Sequence, residues 1–123
     1  MLVVRVHNLV PETVWRPRFE HIVGFEEAVA TAGTRIVKLF LHISKEEQAE
    51  RFQARLDDPT KRWKYRAADL AERERWDDYQ TAFTEAIART STDVAPWFVI
   101  PADRKWYRDW AVLTILVDTL RAM

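Results

Sequence analysis

Short, almost continuously apolar segments alternate along this chain with longer segments of helical periodicity. Three of them are rich in β-branched or aromatic residues, as is typical of strands buried on both faces: Leu2–Val6, Arg35–Ile43 and Trp97–Ile100. This alternation predicts an α/β fold, in which helical crossovers join parallel strands. Three strands make a narrow sheet, so we expect either that another chain covers its edges or that the chain belongs to a larger fold.

Helix start and stop signals organise the first half of the sequence. Pro17 and Gly33 bound a helical pattern, because proline is favoured in the first turn and glycine just after the last residue. Ser44 and Glu47 have the spacing of a capping box, in which the hydroxyl and the carboxylate each bind an orphan amide. This pattern predicts a helix over about 45–57.

Two more helices are predicted in the second half. One runs from about Asp69 to Arg89, and the other follows Asp103, a residue type favoured at helix N-termini. The last helix carries a single apolar stripe that we expect in the core. It consists of Trp106, Trp110, Leu113, Leu116 or Val117, and Leu120.

Composition excludes several classes of protein. The 123 residues are 48% hydrophobic and 31% charged, which is enough apolar surface for one folded domain and not typical of a disordered chain. Because no segment has the length of a membrane helix or the pattern of a signal peptide, we expect a cytoplasmic protein. Without cysteine, and with three histidines at no metal-ligand spacing, the sequence predicts no zinc site.

Glycine is almost absent, occurring only at positions 24 and 33. A Gly-x-x-x-x-Gly-Lys phosphate loop therefore occurs nowhere in the sequence, which excludes a self-contained P-loop kinase. Arginine outnumbers lysine fourteen to five, and this excess favours planar, bidentate recognition of anions.

The charges are locally segregated although the formal net charge is zero. The segment Arg51–Arg66 carries six basic and two acidic residues, a net of +4, while residues 67–85 have a net of −4. Arg51 and Arg55 lie one helical turn apart and could contact neighbouring phosphates of a polyanion. Alternatively, the two segments form a hairpin and neutralise each other as ordinary surface charge.

Several other candidates have a structural interpretation beside the functional one. His42 lies in an apolar strand, where a hydrogen-bonded core histidine is commoner than a catalytic base. Trp63, among Lys61, Arg62 and Lys64, could stack on a base, although packing is the simpler expectation. Asp77 and Asp78 diverge by about 100° on a helix and so cannot both face one Mg²⁺ ion.

A set of motifs resembles the polyphosphate kinases of family 2, in order and spacing over nearly the whole chain. These are Val3–His7, Leu9–Pro11, Phe40–Gln48 (FLHISKEEQ), Arg51-Phe52, Asp57–Pro59, Trp63-Lys64, Glu74–Tyr79 (ERWDDY), Ala95–Trp97, Pro101–Asp103 and Lys105-Trp106. Tyr65–Ala67 departs from the proline-containing segment that the family often has there.

The resemblance implies part of a P-loop kinase fold: a three-layer α/β/α arrangement with a short parallel sheet and a helical lid over about residues 57–90. The implied activity is Mg²⁺-assisted transfer of a phosphoryl group between inorganic polyphosphate and a nucleoside mono- or diphosphate. In the family, the phosphate loop and the Asp-Arg motif precede the segment that matches Leu2–Val6. The chain therefore resembles the C-terminal half of the domain, without those motifs or the metal ligands.

The resemblance assigns phosphate contacts, and no catalytic or metal-ligating role, to residues of this chain. The predicted phosphate-binding residues are Arg51, Arg55, Lys61, Arg62 and Lys64. Without the phosphate loop, its lysine and the metal-holding aspartate, the chain alone is predicted to be an inactive kinase. We expect a second polypeptide to supply the N-terminal half, or self-association into a homo-oligomer, and no membrane or specific nucleic-acid partner. The alternatives are a non-catalytic polyanion-binding or self-associating module derived from such a kinase, and a remnant without function.

Overall fold

The computed structural model describes all of residues 1–123 and has a mixed α/β fold. The elements in chain order are α1 Leu2–Val6, α2 Glu12–Trp15, α3 Arg18–Thr31, β1 Lys38–His42, α4 Lys45–Asp57, a 3-10 turn at Arg62–Lys64, α5 Ala67–Glu74, α6 Trp76–Thr90, β2 Trp97–Pro101 and α7 Lys105–Arg121. Strands β1 and β2 pair in parallel as a two-stranded sheet. The α/β class and these two strands are confirmed, and no helix has the length and hydropathy needed to span a membrane.

The predicted first strand is wrong, because Leu2–Val6 forms the short helix α1. Its backbone turns continue beyond the helix, with the N–H of His7 donating to the Val3 carbonyl at 2.9 Å. Val6 is buried, and the Arg5 guanidinium lies 4.7 Å from the centre of the Trp15 ring. These tertiary contacts override the strand preference of a β-branched segment, since that preference mainly reflects packing on a sheet.

Helix α3 ends at Thr31, and Gly33 follows as the stop signal that the sequence predicts. Gly33 has φ +95°, its N–H donates to the Ala30 carbonyl at 3.0 Å, and the Thr34 N–H donates to the Val29 carbonyl at 3.2 Å. These two bonds are the Schellman motif, which satisfies the last carbonyls of a helix and requires a left-handed residue.

The predicted helix over 69–89 is two helices, α5 and α6, separated at Arg75. The Arg75 N–H donates to the Glu72 carbonyl three residues back, at 3.0 Å, which is a tighter turn than the α-helix allows. No glycine or proline marks this break, so the sequence pattern alone does not locate it.

The chain divides into two compact units, each made of two segments. The first consists of Met1–Phe40 and Asp77–Phe98, and its buried apolar residues include Val6, Trp15 and Phe19.

A buried cation also belongs to this unit. The Lys38 ammonium pairs with the Glu26 carboxylate at 2.7 Å and donates to the Thr90 carbonyl, while lying 5.1 Å from the centre of the Trp97 ring. The lysine is only 8% exposed, so this full set of partners is what makes its burial tolerable.

The second unit consists of Leu41–Trp76 and Val99–Met123. It contains α4, whose predicted N-cap is confirmed: the Glu47 N–H donates to the Ser44 hydroxyl at 3.1 Å. The Glu47 carboxylate instead accepts a bond from Arg51 at 2.8 Å, one turn further along the helix. The predicted cap of the last helix by Asp103 is wrong, because Arg104 occupies the N-cap position of α7 without a side-chain cap.

Candidate functional site

A cleft lies at the carboxyl ends of the two parallel strands, where α/β folds commonly place ligands. It has a volume of about 620 Å³. The pairing of the strands continues past β2, since the Ala102 N–H donates to the His42 carbonyl at 2.8 Å. The residues that line the cleft are His42, Ser44, Pro101, Asp103, Arg104, Trp106 and Tyr107.

A set of hydrogen bonds fastens the start of α4 to the turn after β2. The Ser44 N–H donates to the Asp103 carboxylate at 2.7 Å. Arg51 donates through Nη2 to the Ala102 carbonyl at 2.8 Å and to the Asp103 carbonyl at 3.3 Å. The bonds from Ser44, together with the nearby charges of Arg51 and His42, hold the pKa of Asp103 below its usual value. Asp103 is therefore a fixed negative charge at the rim of the cleft.

The turn that follows α4 orders the part of the basic segment Arg51–Arg66 that lies beyond the helix. The Asp58 carboxylate accepts from the Thr60 N–H at 2.9 Å and the Thr60 hydroxyl at 2.7 Å, and it pairs with Lys61 at 3.4 Å. The bonds from Thr60, more than the charge of Lys61, hold the pKa of Asp58 below its usual value. Arg62 donates through Nε to the Leu56 carbonyl at 2.7 Å and so returns the chain to the end of α4.

Two cations of the basic segment Arg51–Arg66 lie against aromatic rings. The Arg55 guanidinium is 5.9 Å from the Phe52 ring centre, and the Lys64 ammonium is 5.3 Å from the Trp63 ring centre. The Phe52 ring in turn meets Tyr65 edge to face at 6.5 Å. A ring face orients a cation without neutralising it, so these charges stay available to an anion.

The five residues predicted to bind phosphate lie in two different settings. Arg51 is half-buried and bonded to Glu47 and two backbone carbonyls, and Arg55 is half-buried over Phe52. Lys61, Arg62 and Lys64 are exposed and lie together on the 3-10 turn and the residue before it. We call these three residues the basic turn.

Several side chains lie on the surface where the sequence predicts burial. His42 is exposed at the cleft and not enclosed in the core, and Trp63 is 77% exposed. Trp106 and Trp110, expected in the core, are 66% and 57% exposed. His42 lies on β1 and the two α7 tryptophans lie on a helix that was predicted, so for these residues the error concerns which faces of the elements are covered.

Sequence reasoning missed the hydrogen bond by which Asp103 joins the two sides of the site. Its carboxylate binds an amide 59 positions earlier in the chain, a partner that no local capping rule identifies. Arg104 and Tyr107 in the cleft were also not singled out, although they adjoin the Pro-Ala-Asp motif that the resemblance includes.

A second cluster of arginines, in the first unit, shares one carboxylate partner. The Glu85 carboxylate accepts from Arg5 at 2.5 Å, from Arg16 at 2.9 Å and from Arg89 at 3.0 Å. Burial favours a raised pKa for Glu85, but the bonds and charges of Arg5 and Arg16 outweigh it and hold the pKa below its usual value. This cluster binds the first unit together, and each of its guanidinium groups already has a carboxylate partner.

No group of three or more His, Cys, Asp or Glu side chains is placed to hold a metal ion. The resemblance likewise places no ligand of the implied Mg²⁺ in this chain, so no step through that ion is derived from its residues.

The two parallel strands end at a cleft, and a capped helix and a turn rich in cations follow the first of them. These features define an α/β chain of the class that places ligand sites at the carboxyl ends of its strands. A family model described as polyphosphate kinase 2 matches residues 1–123. The chain belongs to the polyphosphate kinase 2 family.

Similar proteins include named transferases and a solved structure. An AMP/ADP-polyphosphate phosphotransferase of Meiothermus ruber is 57% identical over 123 residues, which are all of this chain and 46% of that protein. An ADP-polyphosphate phosphotransferase of Rhodopseudomonas palustris is 40% identical over 135 aligned positions, covering 47% of its length. The crystal structure of polyphosphate kinase 2 from Arthrobacter aurescens has 48% identity and a TM-score of 0.95, over 98% of this chain and 42% of that one. The chain thus spans less than half the length of these three relatives.

Proposed function

We propose that this chain is part of a polyphosphate:nucleotide phosphotransferase, which transfers phosphoryl groups between inorganic polyphosphate and nucleoside mono- or diphosphates. Membership of the family over the whole chain supports this proposal, as do the names of relatives that are 57% and 40% identical. The proposal includes both classes of nucleotide, because the relatives' names include both AMP and ADP.

The role of this chain in the reaction is to hold the phosphates of the polyanion. The observation that carries this role is the basic turn, where Lys61, Arg62 and Lys64 are exposed within four consecutive residues. Asp58 and Thr60 brace the turn, so its cations are ordered before an anion arrives. Preordered cations lose less conformational entropy on binding than free side chains would.

Arg51 and Arg55 complete the proposed set from the adjoining helix. Their side chains lie one turn apart, and each already has a defined position through the Ala102 carbonyl or the Phe52 ring. Arg51 uses its Nε and Nη2 groups on protein acceptors, so its contribution to phosphate binding is expected to be smaller than that of the basic turn.

The test is a titration of the chain with inorganic polyphosphate at several salt concentrations. Replacing the three residues of the basic turn by alanine should weaken binding at least 10-fold. It should also reduce the slope of log affinity against log salt by about 2, at ~0.7 per lost phosphate contact, by analogy with single-stranded nucleic acids. Isothermal titration calorimetry gives both quantities.

The matched control removes the same charge elsewhere, through Arg35→Ala, Lys105→Ala and Arg121→Ala. All three are exposed residues outside the basic segment. If both triple variants lose affinity equally, binding depends only on total charge, and the basic turn is not the site. Circular dichroism checks that the variants keep their helices.

The same titration also bears on the non-catalytic alternative. A polyanion-binding module needs only this affinity, whereas a kinase fragment must in addition take part in phosphoryl transfer when the remaining residues are supplied. Binding that survives without any such activity would favour the module.

A further inference from the structure

Helix α7 carries apolar residues on two opposite faces. At 100° per residue, one face is centred on Ala111 and Ile115, whose side chains are half-buried. The opposite face follows a 4-3-4-3 spacing and forms what we call the α7 stripe: Trp106, Trp110, Leu113, Val117 and Leu120.

The α7 stripe is open to solvent. Its side chains are exposed by 66% at Trp106, 57% at Trp110, 60% at Leu113, 41% at Val117 and 68% at Leu120. Contiguous exposed apolar surface of this kind marks an interaction site. Trp106 also lines the cleft, so the apolar surface is continuous from the stripe into it.

The strand segments of the second unit also expose apolar side chains. Leu41 on β1 is 48% exposed and Val99 on β2 is 55% exposed. Parallel strands are normally covered on both faces and flanked by further strands. The unit therefore has the apolar surface of an interior without the residues that would cover it.

The relatives contain the additional residues that such a surface needs. The Arthrobacter aurescens structure superimposes on 98% of this chain with a TM-score of 0.95, yet more than half of that chain lies outside the match. The conformation of α7 is thus compatible with a chain of more than twice the matched length. We propose that the α7 stripe is the docking surface for the part of a polyphosphate kinase 2 chain that the relatives have outside the matched span.

The test is co-expression of this chain with a tagged polypeptide that corresponds to the unmatched part of the Meiothermus ruber relative. The two should co-purify in a 1:1 ratio. Leu113→Lys places a charge at the centre of the stripe and should reduce the recovered chain at least 10-fold. Asp118→Lys is the matched control, since it puts the same side chain at an exposed α7 position about 140° from Leu113, and it should co-purify like the unmodified chain.

A labelling experiment covers the case in which Leu113→Lys does not fold. The chain has no cysteine, so Leu113→Cys and Asp118→Cys each introduce a single thiol. Maleimide labelling should slow at least 10-fold in the complex for Leu113→Cys and change little for Asp118→Cys.

Three outcomes overturn the inference. They are no co-purification of the unmodified chain, equal recovery of the Leu113→Lys variant with unchanged labelling of Leu113→Cys, and a homodimer of the chain alone that Leu113→Lys dissociates. The last result would make a second copy the occupant. The inference goes beyond the proposed phosphate binding, and neither measurement includes polyphosphate or nucleotide, so the two can fail separately.

Discussion

At the scale of single residues, Glu85 shows how one carboxylate stabilises a unit. It accepts bonds from Arg5, Arg16 and Arg89, and the Arg5 guanidinium also lies over Trp15. We expect Glu85→Gln to lower the free energy of unfolding by about 2 kcal/mol, since hydrogen bonds to charged groups contribute roughly 1.5–3 kcal/mol each. Glu50→Gln, at an exposed carboxylate on α4, is the control and should change it little.

The pKa of Glu85 gives this prediction a pH dependence. Because the pKa is lower in the folded than in the unfolded protein, the stabilisation is present above the usual glutamate pKa of about 4.3. It is lost as the pH falls through the folded value. Urea unfolding of both proteins should therefore show a constant difference from about pH 8 to pH 5 and a shrinking difference below that. A difference that grows as the pH falls would contradict the assignment.

Local sequence rules predict residues whose partners are near in the chain and miss those with distant partners. Ser44 caps α4 through an amide three positions on, which is a pattern visible in the sequence. Asp103 has an equally good local pattern, but its carboxylate binds the Ser44 N–H instead. Which N–H the Asp103 carboxylate binds depends on how the parallel strands bring the two turns together. The local sequence therefore does not identify this partner.

At the scale of elements, the two glycines of the α3 region permit predictions of opposite sign. Gly33 has φ +95°, so Gly33→Ala should destabilise the protein by about 1 kcal/mol through backbone strain. Gly24 lies inside α3, where Gly24→Ala should stabilise it by about 0.5–1 kcal/mol because alanine loses less backbone entropy. An added Cβ meets nothing within 4 Å at either position, so sterics do not disturb the comparison. Thermal unfolding measures both, and equal effects would contradict the Schellman assignment.

Two agreeing signals identified helices α3 and α4, whereas composition alone did not separate the confirmed strands from the Leu2–Val6 helix. Helix α3 has both a periodic apolar pattern and a glycine stop, and α4 has a cap at Ser44 and a proline after its end. The segment Leu2–Val6 has only a β-branched composition, which suits a buried helix turn as well as a strand.

At the scale of the molecule, the family could be recognised from ordered motifs, but the core could not be predicted from periodicity. A periodic apolar face tells which residues avoid water and not what covers them. In α7 that face is the exposed stripe, and the half-buried residues lie on the other side. The proposed docking of the residues that the relatives have outside the matched span would account for this discrepancy, since apolar faces in a domain are matched by all of its elements together.

The chemical groups that this chain contains, and those it does not contain, predict whether the isolated chain transfers phosphoryl groups. Phosphoryl transfer depends on positioning donor and acceptor and on stabilising charge, and the basic turn supplies charge without a glycine-rich loop to align the phosphates. A coupled assay with polyphosphate, Mg²⁺ and AMP or ADP should show no turnover by the purified 123 residues. Turnover should appear in the co-purified complex, and replacing Lys61, Arg62 and Lys64 by alanine should raise its KM for polyphosphate. Turnover by the chain alone would show that the basic turn and cleft align the reactants unaided.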